Sequence, residues 1–313
     1  DVADLARDAG GLRHYLVNGQ APKLGHTMRY PALAETLKRI ASEGRDAFYE
    51  GGIAKDIVGT IAAMGSLLDL EDFAAHRSEW VEPIATEFAG HEVLEIPPNG
   101  QGLTALIALN ILGNFSLKSL DPAGPQRMHL EIEALKLAWW FRNRHIADPA
   151  HADVPVAELL SAAFAKKLAG LIEARKCLDI ATALQRSDTV YLTIIDRNRL
   201  AISFINSVYH GFGAAIVTPK SGITLQNRGA CFVTTPGQPN CIGPAKRPLH
   251  TIIPAMVRHK GQIDMSYGVM GGDYQPMGHV VVAANRYVYG MDPQQCLDFP
   301  RYFPKSGEVW AES

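Results

Sequence analysis

The stretch SDTVYLTIIDRN, Ser187 to Asn198, opens polar and charged, sets a threonine at its edge, and runs directly into a β-branched and aromatic segment. Two readings of Thr189 stand side by side. A hydroxyl at the first residue of a buried strand commonly satisfies a neighbouring backbone group. Alternatively, the chain is cut before Thr189, and its freed α-amine and own hydroxyl become base and nucleophile in one residue.

Working outward, TVYLTIID, a short polar turn at Arg197 to Arg199, and LAISFINSVY have a period of two and predict an antiparallel hairpin. Both strands are apolar on both faces, which predicts burial between two layers. On the N-terminal side, PALAETLKRIASEGRDAF, GGIAKDIVGTIAAM and LEDFAAHR repeat their apolar residues at helical spacing. From Met128 to His145, Met128, Ile132, Leu135 and Trp139 form one apolar stripe, with Glu131, Lys136 and Arg142 off it. HEVLEIPPNGQG, His91 to Gly102, reads as a strand, a loop and the start of an apolar helix. After the hairpin come turns at HGFG and PKSG, a predicted strand near ITLQN, the loop TPGQPN, the apolar run TIIPAMV and the glycine pair in GVMGGDY. A helix-rich half followed by such strands predicts helices covering a two-layer sheet.

With 313 residues, 47% of them hydrophobic, the chain can bury a large core. Its formal net charge of −2 supplies no basic field for phosphate backbones, which argues against nucleic acid as a partner. No apolar run has the length of a membrane span, and no basic-then-apolar leader follows Asp1. The four cysteines, Cys177, Cys231, Cys241 and Cys296, lack CxxC spacing and read as reduced thiols. A cytoplasmic compartment is favoured, with a periplasmic or secreted one left open.

His210, His250, His259 and His279 form no HxxxH or HExxH pair, so a metal centre is not expected. There is no GxSxG elbow and no phosphate-loop pattern, and no cofactor is implied. What remains is Thr189 with its hairpin, and Gly271-Gly272 downstream.

The order DTVYLTIID, SFINSVYHGFG, GITLQNRG, GPAKRPLHTIIPAMV, GVMGGDYQPMGH resembles the small subunit of the γ-glutamyltranspeptidase family. FYEGGIAKDIV, LEDFAAHRSEWVEPI and LEIPPNGQG resemble the end of that family's large subunit. The resemblance implies an α+β fold, the four-layer αββα sandwich of the N-terminal-nucleophile hydrolases. It implies residues 1–188 as part of a large subunit and 189–313 as part of a small one, both made from one precursor by cleavage between Asp188 and Thr189. Thr189 would then attack a small-molecule amide, Gly271 and Gly272 would form the oxyanion hole, and Ser207 would stand where the family has a second threonine that orients the nucleophile. A homodimer of such heterodimers is compatible with the resemblance.

The sequence departs from the family in the substrate pocket. Cys231 replaces the acidic residue that holds a substrate α-ammonium, a loss of roughly 1.5–3 kcal/mol for a charge-assisted bond. His250 and Thr251 replace a serine pair, Tyr209 an asparagine, and Arg228 an amide side chain. The family's arginine for the α-carboxylate comes from an N-terminal segment that this sequence does not include. Less negative charge and an added guanidinium point to an acyl group that bears a carboxylate and no α-ammonium, as in oxamate, succinyl or glutaryl amides. A structural ion pair or a solvated side chain is the competing reading of Arg228, and small buried packing the competing one for Cys231.

Overall fold

A computed structural model describes residues 2–180, 188–305 and 307–312, and the chain forms two compact units. Ser187 lies outside the described residues, and of Asp188 only the backbone is described.

The first unit comprises Asp1–Trp80 with Val208–Asn227. Its helices are α1 (Val2–Leu5), α2 (Ala9–His14), α3 (Pro31–Glu43), α4 (Arg45–Tyr49), α5 (Gly52–Ala62) and α6 (Leu70–Ala75). Ile53, Ile57 and Ile61 lie four apart on α5 and are buried against Ile40, Phe48, Phe73, Ile223 and Leu225. The predicted strand near ITLQN is not formed. Ile223 and Leu225 turn into the α5 core, and the backbone there makes an irregular ladder to residues 214–218 containing the single bridge Val217↔Thr224. Asp56 of α5 pins the preceding turn, accepting from Ser221 N and Ser221 Oγ, each at 2.7 Å.

The second unit comprises Val81–Ser207 with Arg228–Ser313. It opens with β1 (Ile84–Phe88), β2 (His91–Glu95), α7 (Gly102–Leu112), α8 (Pro125–His145), α9 (Val156–Leu159) and α10 (Ala162–Ala169). Then follow β3 (Asp188–Ile195), β4 (Ala201–Tyr209, whose last two residues belong to the first unit), β5 (Ala255–His259), β6 (Gln262–Tyr267), α11 (Gln275–Tyr287), α12 (Pro293–Asp298), β7 (Tyr302–Lys305) and β8 (Glu308–Ala311). An antiparallel sheet runs β1-β2-β5-β6, with Val93 opposite Val257.

Helix α7 is apolar on every side because every side is covered: it packs on β1 and β2 and against α8, α10 and α11. The expected stripe on α8 is present, with Leu135 and Trp139 buried. Glu131 and Arg142, however, are buried too. Each meets a partner from a distant segment, Tyr302 for Glu131 and Asp273 for Arg142. Glu131 takes Arg127 Nε at 2.8 Å and the Tyr302 hydroxyl, and Arg142 pairs with Asp273. Gly124 and Pro125 start α8, and Arg142, Arg144 and His145 in its last turn complement the helix dipole.

The expected hairpin is the β3-β4 sheet, closed by Asp196, whose Oδ1 accepts from Asn198 N and Leu200 N at 2.8 Å. One face meets β6: Thr193 Oγ1 donates to Ser266 Oγ at 2.8 Å, and Tyr191 Oη and Ser266 Oγ lie 3.3 Å apart. Its other face, Val190, Ile194, Ile202 and Phe204, is exposed rather than buried between layers. Among the described residues, the helices gathered on α7 thus cover β1 and β2, and the hairpin meets β6 of the same sheet.

Leu106, wholly buried in α7, tests this core. Leu106→Ala is expected to lower stability by about 2–5 kcal/mol and Leu106→Met by less than about 1.5 kcal/mol, measured by urea unfolding of the complete protein.

Candidate active site

Thr189 is buried at the start of β3, and its Oγ1 donates to Ser207 Oγ on β4 at 3.3 Å. The hairpin brings these two together. Thr189 and Gly271 also line one cavity of about 990 Å³, walled further by Met270, Tyr274, Arg301 and Trp310. Gly271 has φ +115° and Gly272 φ +60°, backbone that disfavours any Cβ. Directly after them come the short helical turn Gly272–Tyr274 and then α11. The positive end of a 13-residue helix therefore follows the glycine turn.

Arg228 is buried and donates through Nη1 to Thr251 Oγ1 at 2.5 Å. His250 is partly buried. Burial first, and the neighbouring Arg228 charge second, lower its pKa to about 4. Its Nδ1 accepts from Ile252 N at 3.3 Å, as a neutral ring does. Cys231 shares a short helical turn with Arg228, and its carbonyl accepts from Asn240 Nδ2 at 2.7 Å. Arg228, His250 and Thr251 thus form one cluster. They are not among the walls of the Thr189 cavity. Tyr209 belongs to the first unit, where it has φ +78° and stacks on His210.

Sequence reasoning missed the residues that join the two clusters. Gln101 Nε2 donates to Thr251 O at 2.8 Å and to Gly272 O at 2.9 Å. Arg142 Nη1 donates to Gln101 Oε1 at 2.7 Å and to Asp273 Oδ1 at 2.5 Å. The one signal for Gln101 is a glutamine between two glycines where a strand, a loop and an apolar helix meet. The loop is itself tied in, since Gln101 N donates to His250 O, and His250 N to Asn99 O, both at 2.9 Å.

His129, Glu133 and Cys177 bring potential metal-ligating atoms within 4.8 Å of one another. Glu133 already accepts from Lys136 Nζ at 2.8 Å and Leu178 N at 2.6 Å, and His129 Nε2 lies 2.8 Å from Glu173 O. These groups hold the 173–178 segment on α8. Among the described residues, no helix is long and apolar enough to cross a membrane.

A family model, gamma-glutamyltranspeptidase, matches residues 2–313, and the chain belongs to that family. It is 38% identical to the glutathione hydrolase-like YwrD proenzyme of Bacillus subtilis, covering 94% of this chain and 55% of the relative. It is 36% identical to the oxamate amidohydrolase proenzyme of Klebsiella pneumoniae, covering 100% of this chain and 58% of that protein. The crystal structure of cephalosporin acylase from Bacillus halodurans superposes with a TM-score of 0.89 at 36% identity, over 98% of this chain and 56% of that one. The fold is accordingly the expected α+β one of the N-terminal-nucleophile hydrolases. The chain spans a little over half the length of these relatives.

His250 sets a pH dependence. Folded, it binds its proton near pH 4, and unfolded near 6.5, so between those values unfolding takes up a proton. Stability is therefore expected to fall as pH drops from 6.5 towards 4, by up to about 3 kcal/mol from this residue. His250→Gln should flatten that part of the profile, read by urea unfolding at stepped pH.

Proposed function

We propose that this protein is a self-processing amidohydrolase that cuts the Asp188–Thr189 bond and then hydrolyses amides of a small acyl group bearing a carboxylate. The hydrogen bond from Thr189 Oγ1 to Ser207 Oγ, beside a cavity shared with Gly271, carries the reading. In the uncut chain the Thr189 hydroxyl attacks the Asp188 carbonyl carbon. The peptide C–N bond breaks, giving an ester and a free α-amine. Water hydrolyses the ester, leaving the Asp188 carboxylate and Thr189 as a chain start, which divides residues 1–188 from 189–313.

The freed α-amine titrates near roughly pH 8, so a useful fraction is neutral and takes the proton from its own hydroxyl. The oxygen attacks the substrate carbonyl, and the oxyanion develops against the N–H groups of Gly271 and Gly272 and the positive end of α11. The tetrahedral intermediate then collapses. The departing amine leaves with the proton, and water activated by the same α-amine releases the acid. Ser207 takes the hydroxyl's hydrogen bond before attack and orients its lone pairs.

Cys231 offers no charge for an α-ammonium, while buried Arg228, with neutral His250 and Thr251 beside it, suits a carboxylate. A relative named for oxamate, whose carboxylate lacks an α-ammonium, supports the same substrate class.

The test compares glutaryl-p-nitroanilide with γ-glutamyl-p-nitroanilide on the complete protein. The glutaryl amide is expected to be the better substrate, with Arg228→Gln lowering its kcat/KM by about 10- to 100-fold. Strong turnover of the γ-glutamyl amide with none of the glutaryl one would refute the substrate class.

A further inference from the structure

We propose that Arg142 is a positioning residue for the Gly271–Gly272 turn, acting through the side-chain amide of Gln101. The inference rests on the oxyanion role given to that turn above. Gln101 is fully buried, and Arg142 and Asp273 are nearly so. A side-chain amide has an accepting end and a donating end, whereas a guanidinium only donates. With Arg142 Nη1 at 2.7 Å, the Gln101 oxygen has to face Arg142, and the NH₂ group has to face the carbonyls of Thr251 and Gly272. Both amide protons are then used. The opposite orientation would set an oxygen against two carbonyl oxygens and N–H against N–H.

That choice fixes the glycine turn. The Gly272 carbonyl is held by Gln101, and the Gly271 carbonyl accepts from Tyr274 N at 3.1 Å. A trans peptide points its N–H opposite its carbonyl, so the Gly271 carbonyl held by Tyr274 sets the direction of the Gly272 N–H, and the Gly272 carbonyl held by Gln101 fixes the following peptide, which closes the turn. Glycine backbone has no side chain to resist a peptide flip, and an external pin supplies that resistance. Arg142 has a second effect. Asp273 carries a carboxylate directly after the glycine turn in sequence, and the guanidinium at 2.5 Å offsets its charge.

Two substitutions in the complete protein test this. Arg142→Met keeps the bulk in α8 and removes the donor, freeing Gln101 to turn over. Arg142→Lys keeps a charged nitrogen, and because Nη1 alone makes both bonds, an ammonium can replace it. With glutaryl-p-nitroanilide, Arg142→Met is expected to lower kcat by about 10- to 100-fold with KM within about twofold, since aim is lost and not the pocket. An alkylboronic acid carrying the same carboxylate, which forms a tetrahedral adduct on Thr189, should lose affinity by a similar factor. Arg142→Lys should recover most of both. A crystal structure of Arg142→Met should show the Gly272 carbonyl turned away from Gln101.

Unchanged kcat in Arg142→Met, or equal losses in both variants, would overturn the proposal. If wild-type protein cleaves neither anilide, the substrate reading fails by itself, and the crystal structure still decides: an unmoved glycine turn in Arg142→Met refutes the positioning role.

Discussion

A single buried amide, that of Gln101, holds together stretches far apart in sequence. Its partners Thr251 and Gly272 lie 150 and 171 residues further along the chain. Through Thr251 it reaches Arg228, and through Gly272 it reaches the turn beside Thr189. The Thr189 cavity and the cationic cluster are thereby parts of one framework within the second unit. Burial raises the cost of breaking it, because a carbonyl that loses its donor here has no water to turn to.

The cationic cluster has its own logic. Burial and the Arg228 charge keep His250 neutral, so the ring adds polarity without a second positive charge. Thr251 anchors the guanidinium through its hydroxyl, and its carbonyl is spent on Gln101. The α8 helix serves the site from behind: its Arg142 reaches Asp273 across 131 residues of sequence, while Arg127 and Glu131 on the same helix close a buried pair against β7.

Much of this was legible in the sequence where a local pattern carries the physics. Period two around Thr189 gave the hairpin, helical spacing gave α3, α5 and α8, and the PPNG stretch gave the loop before α7. The resemblance in ordered motifs supplied Thr189, Ser207 and the glycine pair as candidates, and the structure brings Thr189 to Ser207 and to the cavity of Gly271. What failed did so for nonlocal reasons. Glu131 and Arg142 lie off the apolar stripe, yet both are buried, each with a partner from a distant segment, Tyr302 for Glu131 and Asp273 for Arg142. Ile223 and Leu225 have strand-like composition, but packing against α5 takes precedence over a regular ladder. The outer face of the hairpin is apolar in sequence and exposed in this structure. Gln101 had no pattern of its own, since its importance lies entirely in what the fold places around it.

The central claim is that Thr189 becomes a chain-terminal nucleophile, and the most direct measurement is the intact mass of the complete, freshly folded protein under denaturing conditions, beside a Thr189→Ala control. Two fragments whose masses place the cut between Asp188 and Thr189, absent from the control, are the expected result. A single uncleaved mass in both samples would contradict the account.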